Sequence, residues 1–186
     1  MTTSPAPTQQ FDLRRLYTAA ALIPTVYLII VHLAPWALTL LLIAVGSIAL
    51  LELYRLSFQS RLNNILVGVG LAVFVLTIAR SHVSLPLPEL LLGGAFAVVM
   101  TGLAVGTSSA YRWKDPLLAL LGVLYVGIPL STVVSARALP AGAFLVLFLA
   151  VVTWASDAAA YYAGTLWGKH PLMPSISPKK TYEGLL

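Results

Sequence analysis

Six long runs of apolar residues dominate the chain, and charged residues, glycines and prolines separate them. Proline lacks a backbone N–H and ends or kinks a helix, so the prolines and charges between the runs indicate turns. A helix that crosses the hydrocarbon core of a bilayer needs about 20 mainly apolar residues. The runs match that length. They predict membrane helices over residues 16–33, 36–54, 62–79, 90–106, 116–134 and 142–166.

The composition indicates that lipid rather than water is the main solvent. Of the 186 residues, 59% are hydrophobic and 9% are charged, whereas a water-soluble domain has about 25% charged residues. We therefore predict an all-α fold, a polytopic membrane helix bundle with about six transmembrane helices plus the start of a seventh near Lys179. The chain has no cysteine, which excludes disulfides and thiolate metal sites.

This pattern divides the chain into four regions. Residues 1–13 are polar and predict a disordered cytoplasmic tail, residues 14–80 contain helices 1 to 3, and residues 81–167 contain helices 4 to 6. Residues 168–186 are predicted to form a basic cytoplasmic loop that leads into the truncated seventh helix.

The basic residues sort unevenly between the two sides of such a bundle. Only Arg80 and Arg137 fall on one side, and nine fall on the other. Cytoplasmic loops are enriched in lysine and arginine, so the imbalance places the amino terminus and residues 168–186 in the cytoplasm. The net charge of +5 then reflects loops beside an anionic leaflet, and we expect no nucleic acid partner. The nine are Arg14, Arg15, Arg55, Arg61, Arg112, Lys114, Lys169, Lys179 and Lys180.

One acid lies inside an apolar run. Asp157 belongs to WASDAAAY (residues 154–161), about 15 Å before the cytoplasmic end of the sixth helix. An ionised carboxylate there costs at least a few kcal/mol, so we expect it to face the protein interior or a wet cavity. Asp157 is a candidate metal or substrate ligand or proton carrier, and a buried structural acid is the alternative. Tyr161, one turn later on the same face, is either a substrate contact or an interfacial anchor.

The segment SPKKTYEG (residues 177–184) combines the signals of a helix start with two lysines. Ser177 as N-cap and Pro178 as first helical residue predict that a helix begins here. Unpaired N–H groups and the helix dipole make such an end a site for anions, and Lys179 and Lys180 add positive charge. Taken alone, these residues leave two interpretations open, a phosphate-binding site and a polybasic membrane anchor.

Few acids are available for a metal site. Of the six acids in the chain, only Asp157 and Glu183 are plausible ligands near the basic segment. Two carboxylates are compatible with one Mg²⁺ that substrate phosphates also hold, and are too few for a two-metal site. Small residues four apart, such as Gly164 and Gly168, indicate close helix packing, either within one chain or in a homodimer.

The polar motifs of the second half resemble the phosphatidate cytidylyltransferase (CDP-diacylglycerol synthase) family. They are WASDAAAY, then GKH at residues 168–170, and ISPKKTYEG at residues 176–184. Weaker similarities precede them in the family's order, including ELY at residues 52–54 and LGVLYVGIPL at residues 121–130. The resemblance implies a multi-pass enzyme of the bacterial inner membrane. Its reaction in phospholipid biosynthesis converts CTP and phosphatidate into CDP-diacylglycerol and diphosphate, with Mg²⁺ as cofactor.

The resemblance also implies roles for individual residues. Asp157 would be catalytic and a metal ligand, and Lys179 and Lys180 would be catalytic cations at the phosphate-binding end. The partners would be CTP, phosphatidate and membrane lipid. The residues expected to bind substrate are Ser177, Thr181, Lys169, His170 and Tyr161.

The chain departs from the family pattern at its end. The family's defining signature is an acid-rich stretch with a Pro-Gly-His-Gly-Gly-type loop and a closing Asp-Arg-x-Asp, and this sequence does not contain it. We therefore expect this chain to correspond to the front two-thirds of the enzyme and to be inactive alone. A CTP-dependent polyprenol or lipid kinase and a related CDP-lipid synthase are close alternatives. From other classes, the alternatives are a small ion-coupled transporter subunit that uses Asp157 and a non-catalytic scaffold.

Overall fold

The computed structural model describes residues 13–57, 64–105, 114–173 and 177–185. Within these residues the chain forms six helices followed by an antiparallel hairpin of two strands, β1 (Pro171–Met173) and β2 (Ser177–Thr181). The helices are α1 (Leu13–Val31), α2 (Pro35–Ser57), α3 (Asn64–Ala79), α4 (Leu87–Val105), α5 (Lys114–Arg137) and α6 (Gly142–Leu166).

The six predicted helices are confirmed, with ends that differ from the prediction by at most three residues. Four of them, α2, α4, α5 and α6, are long and apolar enough to cross a membrane by length and composition. The described chain also has two shorter apolar helices, Ala20–Val31 within α1 and Asn64–Ala79. Of the predicted elements, the tail up to residue 12 and helix residues 62, 63 and 106 lie outside the described residues.

Tyr54 is the centre of the packing between α2, α3 and α5. Its side chain is fully buried, and its hydroxyl donates a hydrogen bond to the Ala119 carbonyl at 2.9 Å. Two glycines leave room for the phenol ring. A Cβ at Gly70 would lie 2.5 Å from the Tyr54 hydroxyl oxygen, and a Cβ at Gly122 would lie 2.8 Å from Cε1 of the ring. The missing side chains therefore let three helices close around one aromatic residue.

Hydrogen bonds join three helix ends at one end of the bundle. Arg80, directly after α3, donates through Nη2 to the Ser135 hydroxyl of α5 at 3.2 Å. Arg137, the last residue of α5, donates through Nε to the Ile30 carbonyl of α1 at 3.0 Å. The sorting of loop charges predicted that Arg80 and Arg137 share one side, and these contacts confirm it.

Among the described residues, helix α6 packs against other helices through its first half only. Val146 is buried against Ile30 and Leu38, whereas every residue from 151 to 162 is exposed. No described helix therefore covers the second half, which carries Asp157.

The predicted start of a seventh helix at Lys179 is wrong, because Ser177–Thr181 is the strand β2 paired with β1. The local signals for the helix were ambiguous. Proline suits the first turn of a helix, but it also suits an edge strand. The outer side of an edge strand has no neighbouring strand, so the missing N–H costs no hydrogen bond there. The following Thr181 and Tyr182 are residue types that favour strands. Pairing with Pro171–Met173 supplies the backbone partners that a helix would otherwise supply.

Two glycines of α3 offer a matched test of the Tyr54 packing. We expect Gly70→Ala to lower the free energy of unfolding by about 1–3 kcal/mol, because its new Cβ overpacks the Tyr54 hydroxyl. A Cβ at Gly68 would have nothing within 4 Å, so Gly68→Ala should be neutral or stabilise the helix by up to about 1 kcal/mol. Reversible unfolding in mixed micelles, followed by helix content, measures both. Equal effects of the two substitutions would contradict this packing.

Candidate functional site

The hairpin is followed by a turn that packs into a groove of small residues on α6. Ala160, Gly164 and Gly168 recur every four residues and so follow one face of the helical path. A Cβ at Gly184 would lie 2.8 Å from the Ala160 carbonyl oxygen and 3.1 Å from the Gly164 Cα. A Cβ at Gly168 would lie 2.8 Å from both Cγ2 and Oγ1 of Thr181. The absence of a Cβ at Gly168 and Gly184 allows this approach of turn and helix. Gly164 and Gly168, which were predicted to pack helices, therefore seat the turn here.

Asp157 lies on the face of α6 that receives this turn. It precedes Ala160 by three residues and Gly164 by seven, and both spacings return to the same side of an α-helix. The rise from Asp157 to Gly164 is about 10 Å along the axis. The hairpin is thus attached between Asp157 and the end of α6, on the carboxylate's own side.

Of the two environments predicted for Asp157, the protein interior and a wet cavity, the described residues do not provide the first, because its side chain is exposed. The physical reason is the one-sided packing of α6, whose second half has no helix laid along it in this part of the chain. Tyr161, one turn later, is also exposed, and its ring packs edge-on against Tyr162 with centroids 5.6 Å apart.

A hydrogen-bonded pair closes the base of the hairpin. Nδ1 of His170, just before β1, lies 2.7 Å from Oε1 of Glu183, just after β2. The backbone N–H of His170 also donates to Oε2 of Glu183 at 3.4 Å, and the Tyr182 N–H donates to the His170 carbonyl at 3.0 Å. Hydrogen bonding from His170 is the main cause that lowers the pKa of Glu183 from 4.5 to about 2. Glu183 is therefore ionised at neutral pH, with both oxygens engaged.

Strand β2 carries most of the predicted phosphate-binding residues. Ser177 and Thr181 are half-buried, and Lys180 between them is exposed. The Thr181 hydroxyl accepts a hydrogen bond from the Gly184 N–H at 3.3 Å, which holds the turn that enters the groove. Lys169 is exposed in the connection after α6. The side chain of Lys179 lies outside the described residues, although its backbone belongs to β2.

The described residues do not form a metal site of their own. They contain no group of three or more His, Cys, Asp or Glu side chains that could hold a metal ion. Glu183, one of the two predicted ligands, is already bonded to His170. That leaves Asp157, a single carboxylate, which fits a Mg²⁺ ion held mainly by substrate phosphates and water rather than by the protein.

Residues 13–186 match the Cytidylyltransferase family. The chain belongs to this family. The resemblance predicted from the motifs around Asp157 and Lys180 is therefore confirmed.

Several phosphatidate cytidylyltransferases are similar in sequence to this chain. The phosphatidate cytidylyltransferase of Bacillus subtilis is 25% identical over 178 residues, which cover 93% of this chain and 66% of the relative. That of Staphylococcus saprophyticus is 34% identical over 92 residues, 50% of this chain and 35% of the relative. That of Staphylococcus aureus strain COL is 32% identical over 92 residues, with the same coverage. The chain thus spans less than two thirds of the length of these cytidylyltransferases.

Sequence reasoning missed two features of the site in this family member. It gave His170 a substrate-binding role in a loop and Glu183 the role of a plausible metal ligand, without predicting that the two residues pair with each other. It also assigned Gly164 and Gly168 to helix packing. The available signal was a histidine and a glutamate on either side of two short extended segments, together with glycines four apart on the preceding helix.

Enlarging the turn should release the hairpin from α6. We expect Gly184→Ala to expose the backbone of residues 177–185, because its Cβ would press against the Ala160 carbonyl and Gly164. Hydrogen–deuterium exchange of this segment in nanodiscs measures the release, and the Tyr182 N–H should lose protection first. Gly93→Ala in α4 is the control, since a Cβ there would have nothing within 4 Å. Unchanged protection in Gly184→Ala would show that the turn does not depend on this contact.

The His170–Glu183 pair predicts a pH range for the hairpin. The pKa of Glu183 is depressed in the folded state, so its contribution to stability is present above the unfolded value of 4.5 and is lost as the pH falls toward about 2. Titration of the ¹³C-labelled Glu183 carboxyl should therefore show it still ionised at pH 4, while the hairpin remains closed. A carboxyl that titrates at its ordinary pKa would indicate that the pair does not form.

Proposed function

We propose that this chain forms the lipid- and nucleotide-phosphate-binding part of a phosphatidate cytidylyltransferase of phospholipid biosynthesis. In the reaction, a phosphate oxygen of phosphatidate attacks the α-phosphorus of CTP. The bond from that phosphorus to the oxygen bridging to the β-phosphate breaks, so CDP-diacylglycerol forms and diphosphate leaves. One observation carries the proposal: in a chain of this family, a basic hairpin packs on the face of α6 that contains Asp157.

The lysines would act through charge. Attack at the α-phosphorus brings two anions together, and charge then accumulates on the leaving diphosphate, so fixed cations favour the transition state. Lys180 is exposed on β2, and Lys179 is adjacent to it in the strand. Ser177 and Thr181 add hydroxyl donors on the same strand, while Lys169 and Tyr161 would border the bound phosphates.

Asp157 would complete the site from the helix. A carboxylate exposed to acyl chains costs at least a few kcal/mol, so we infer that this face of α6 borders a wet, polar space in the membrane. A bound Mg²⁺ ion would neutralise phosphate charge there. Asp157 would offer that ion one oxygen ligand, in keeping with magnesium sites that use one or two carboxylates and substrate phosphates.

The depth of the hairpin supports a lipid phosphate as one ligand. Helix α6 has 25 residues, so it is about 37 Å long and exceeds the roughly 30 Å hydrocarbon core. Its end at Leu166 therefore lies at the interface. The turn packs at Ala160 and Gly164, roughly 3–9 Å along the axis from that end, close to the level of lipid headgroups. We place this end in the cytoplasm of a bacterial cell, where CTP is made, with Arg80 and Arg137 at the opposite end.

Nucleotide binding by the purified chain tests the proposal. In nanodiscs that contain phosphatidate and Mg²⁺, we expect CTP to bind, and Lys180→Ala or Asp157→Asn to weaken it by about tenfold or more, the loss typical of one charge-assisted contact. Lys114→Ala and Asp115→Asn, at the start of α5, are matched controls that should bind normally. CTP affinity that is unaffected by either site substitution would contradict the assignment.

In any preparation that turns over, the products separate this proposal from its alternatives. A cytidylyltransferase releases diphosphate and forms CDP-diacylglycerol, whereas a CTP-dependent lipid kinase releases CDP and forms a phosphorylated lipid. A transporter subunit would instead support ion flux that needs Asp157 but no CTP. The absence of turnover by the chain alone, and its pairing as a homodimer, remain predictions that the same preparation tests.

A further inference from the structure

The base of the hairpin contains a bonded pair that the proposed mechanism does not use. Glu183 accepts two hydrogen bonds from His170, one from the backbone N–H and one at Nδ1. The Glu183 side chain is 26% exposed and that of His170 is 76% exposed, so the carboxylate is the more enclosed partner. The pair joins the residues on either side of the hairpin, at the end nearest α6.

The pair is linked to the phosphate-binding strand through a short chain of contacts. Glu183 lies between Tyr182, which bonds back to the His170 carbonyl, and Gly184, whose N–H donates to the Thr181 hydroxyl. Thr181 and Gly184 are the residues that meet the glycine groove of α6. Opening the pair would therefore free the turn and strand β2 together, while the helices would keep their own packing.

We propose that His170 and Glu183 are positioning residues that hold β2, and with it Lys180, against α6, and that Glu183 is not a ligand of the metal. The positioning role follows from the hydrogen bonds alone. Its importance for phosphate binding rests on the proposed function. Glu183 is already satisfied by donors on the hairpin, and the described residues offer no second carboxylate beside it.

Two substitutions of His170 test which of its ring nitrogens bonds to Glu183. The amide nitrogen of Asn can occupy the position of Nδ1, whereas that of Gln extends toward the position of Nε2. His170→Asn should therefore keep the bond to Glu183, and His170→Gln should lose it. Glu183→Gln keeps one oxygen to accept from the His170 backbone N–H, and its amide nitrogen can donate to Nδ1 of the other ring tautomer. Glu183→Ala should remove both contacts.

The order of the hairpin is the primary measurement, and it needs no nucleotide. The chain has no cysteine, so nitroxide labels on cysteines introduced at exposed Met173 and exposed Val152 report one distance between hairpin and α6. In nanodiscs we expect a narrow distribution for the parent, His170→Asn and Glu183→Gln, and a broad one for His170→Gln and Glu183→Ala. The double variant His170→Ala/Glu183→Ala should be no broader than either single alanine variant, because the two residues act as one unit. A narrow distribution in Glu183→Ala would overturn the proposal.

CTP binding gives the second measurement. Affinity should follow hairpin order, with a loss of about tenfold or more in Glu183→Ala, and the Mg²⁺ concentration for half-maximal binding should be the same in Glu183→Gln as in the parent. A raised Mg²⁺ requirement in Glu183→Gln would make Glu183 a metal ligand, and lost affinity in His170→Asn with an ordered hairpin would make His170 a direct contact. Either result overturns the positioning role. Failure of the parent to bind CTP would instead refute the proposed function and leave the distance measurement decisive for the pair.

Discussion

Close approach at residues with little or no side chain is the constraint on which this structure depends. Helices in lipid gain no hydrophobic advantage from meeting each other, so their association depends on packing contacts and hydrogen bonds. In the bundle, Gly70 and Gly122 leave the space that the Tyr54 ring fills. At the site, Gly164 and Gly184 let a turn lie on a helix almost backbone to backbone. The same physical rule thus builds both the core and the functional end.

The rule has a consequence for the polar end of α6. A turn that lies this close to a helix leaves little room for water between them, so the backbone groups of the turn need partners within the protein. The antiparallel ladder between β1 and β2, the Tyr182–His170 backbone bond and the carboxylate of Glu183 provide those partners. Lys180 is exposed on β2, as the proposed role in phosphate binding requires.

The helices could be predicted from the sequence because their signal is both local and long. An apolar run of some twenty residues has one stable form in lipid, so the prediction for α6, residues 142–166, coincides with the structure. The prediction that Arg80 and Arg137 share one end of the bundle followed from the same count of spans. Family membership was likewise readable, since the motifs around Asp157 and Lys180 are contiguous in the chain.

The hairpin could not be predicted, because its conformation depends on contacts that local sequence does not specify. Ser177 and Pro178 suit a helix start and a strand equally, and pairing with residues 171–173 decides between them. The role of Glu183 depends on a histidine thirteen residues away. The exposure of Asp157 depends on how far other elements extend along α6, which no pattern within the helix reveals.

The central claim is that the hairpin and the Asp157 face of α6 form one phosphate site at one end of the bundle. Mn²⁺ bound with CTP in place of Mg²⁺ allows that site to be located by electron-spin distances to single nitroxide labels. Labels replace exposed Met173 on the hairpin, exposed Val152 on α6 and, at the opposite end, exposed Leu139. We predict that the ion lies nearest Met173 and farthest from Leu139. The roughly 37 Å length of α6 sets the scale of the difference between these two distances. An ion nearest Leu139, or equally distant from all three labels, would contradict it.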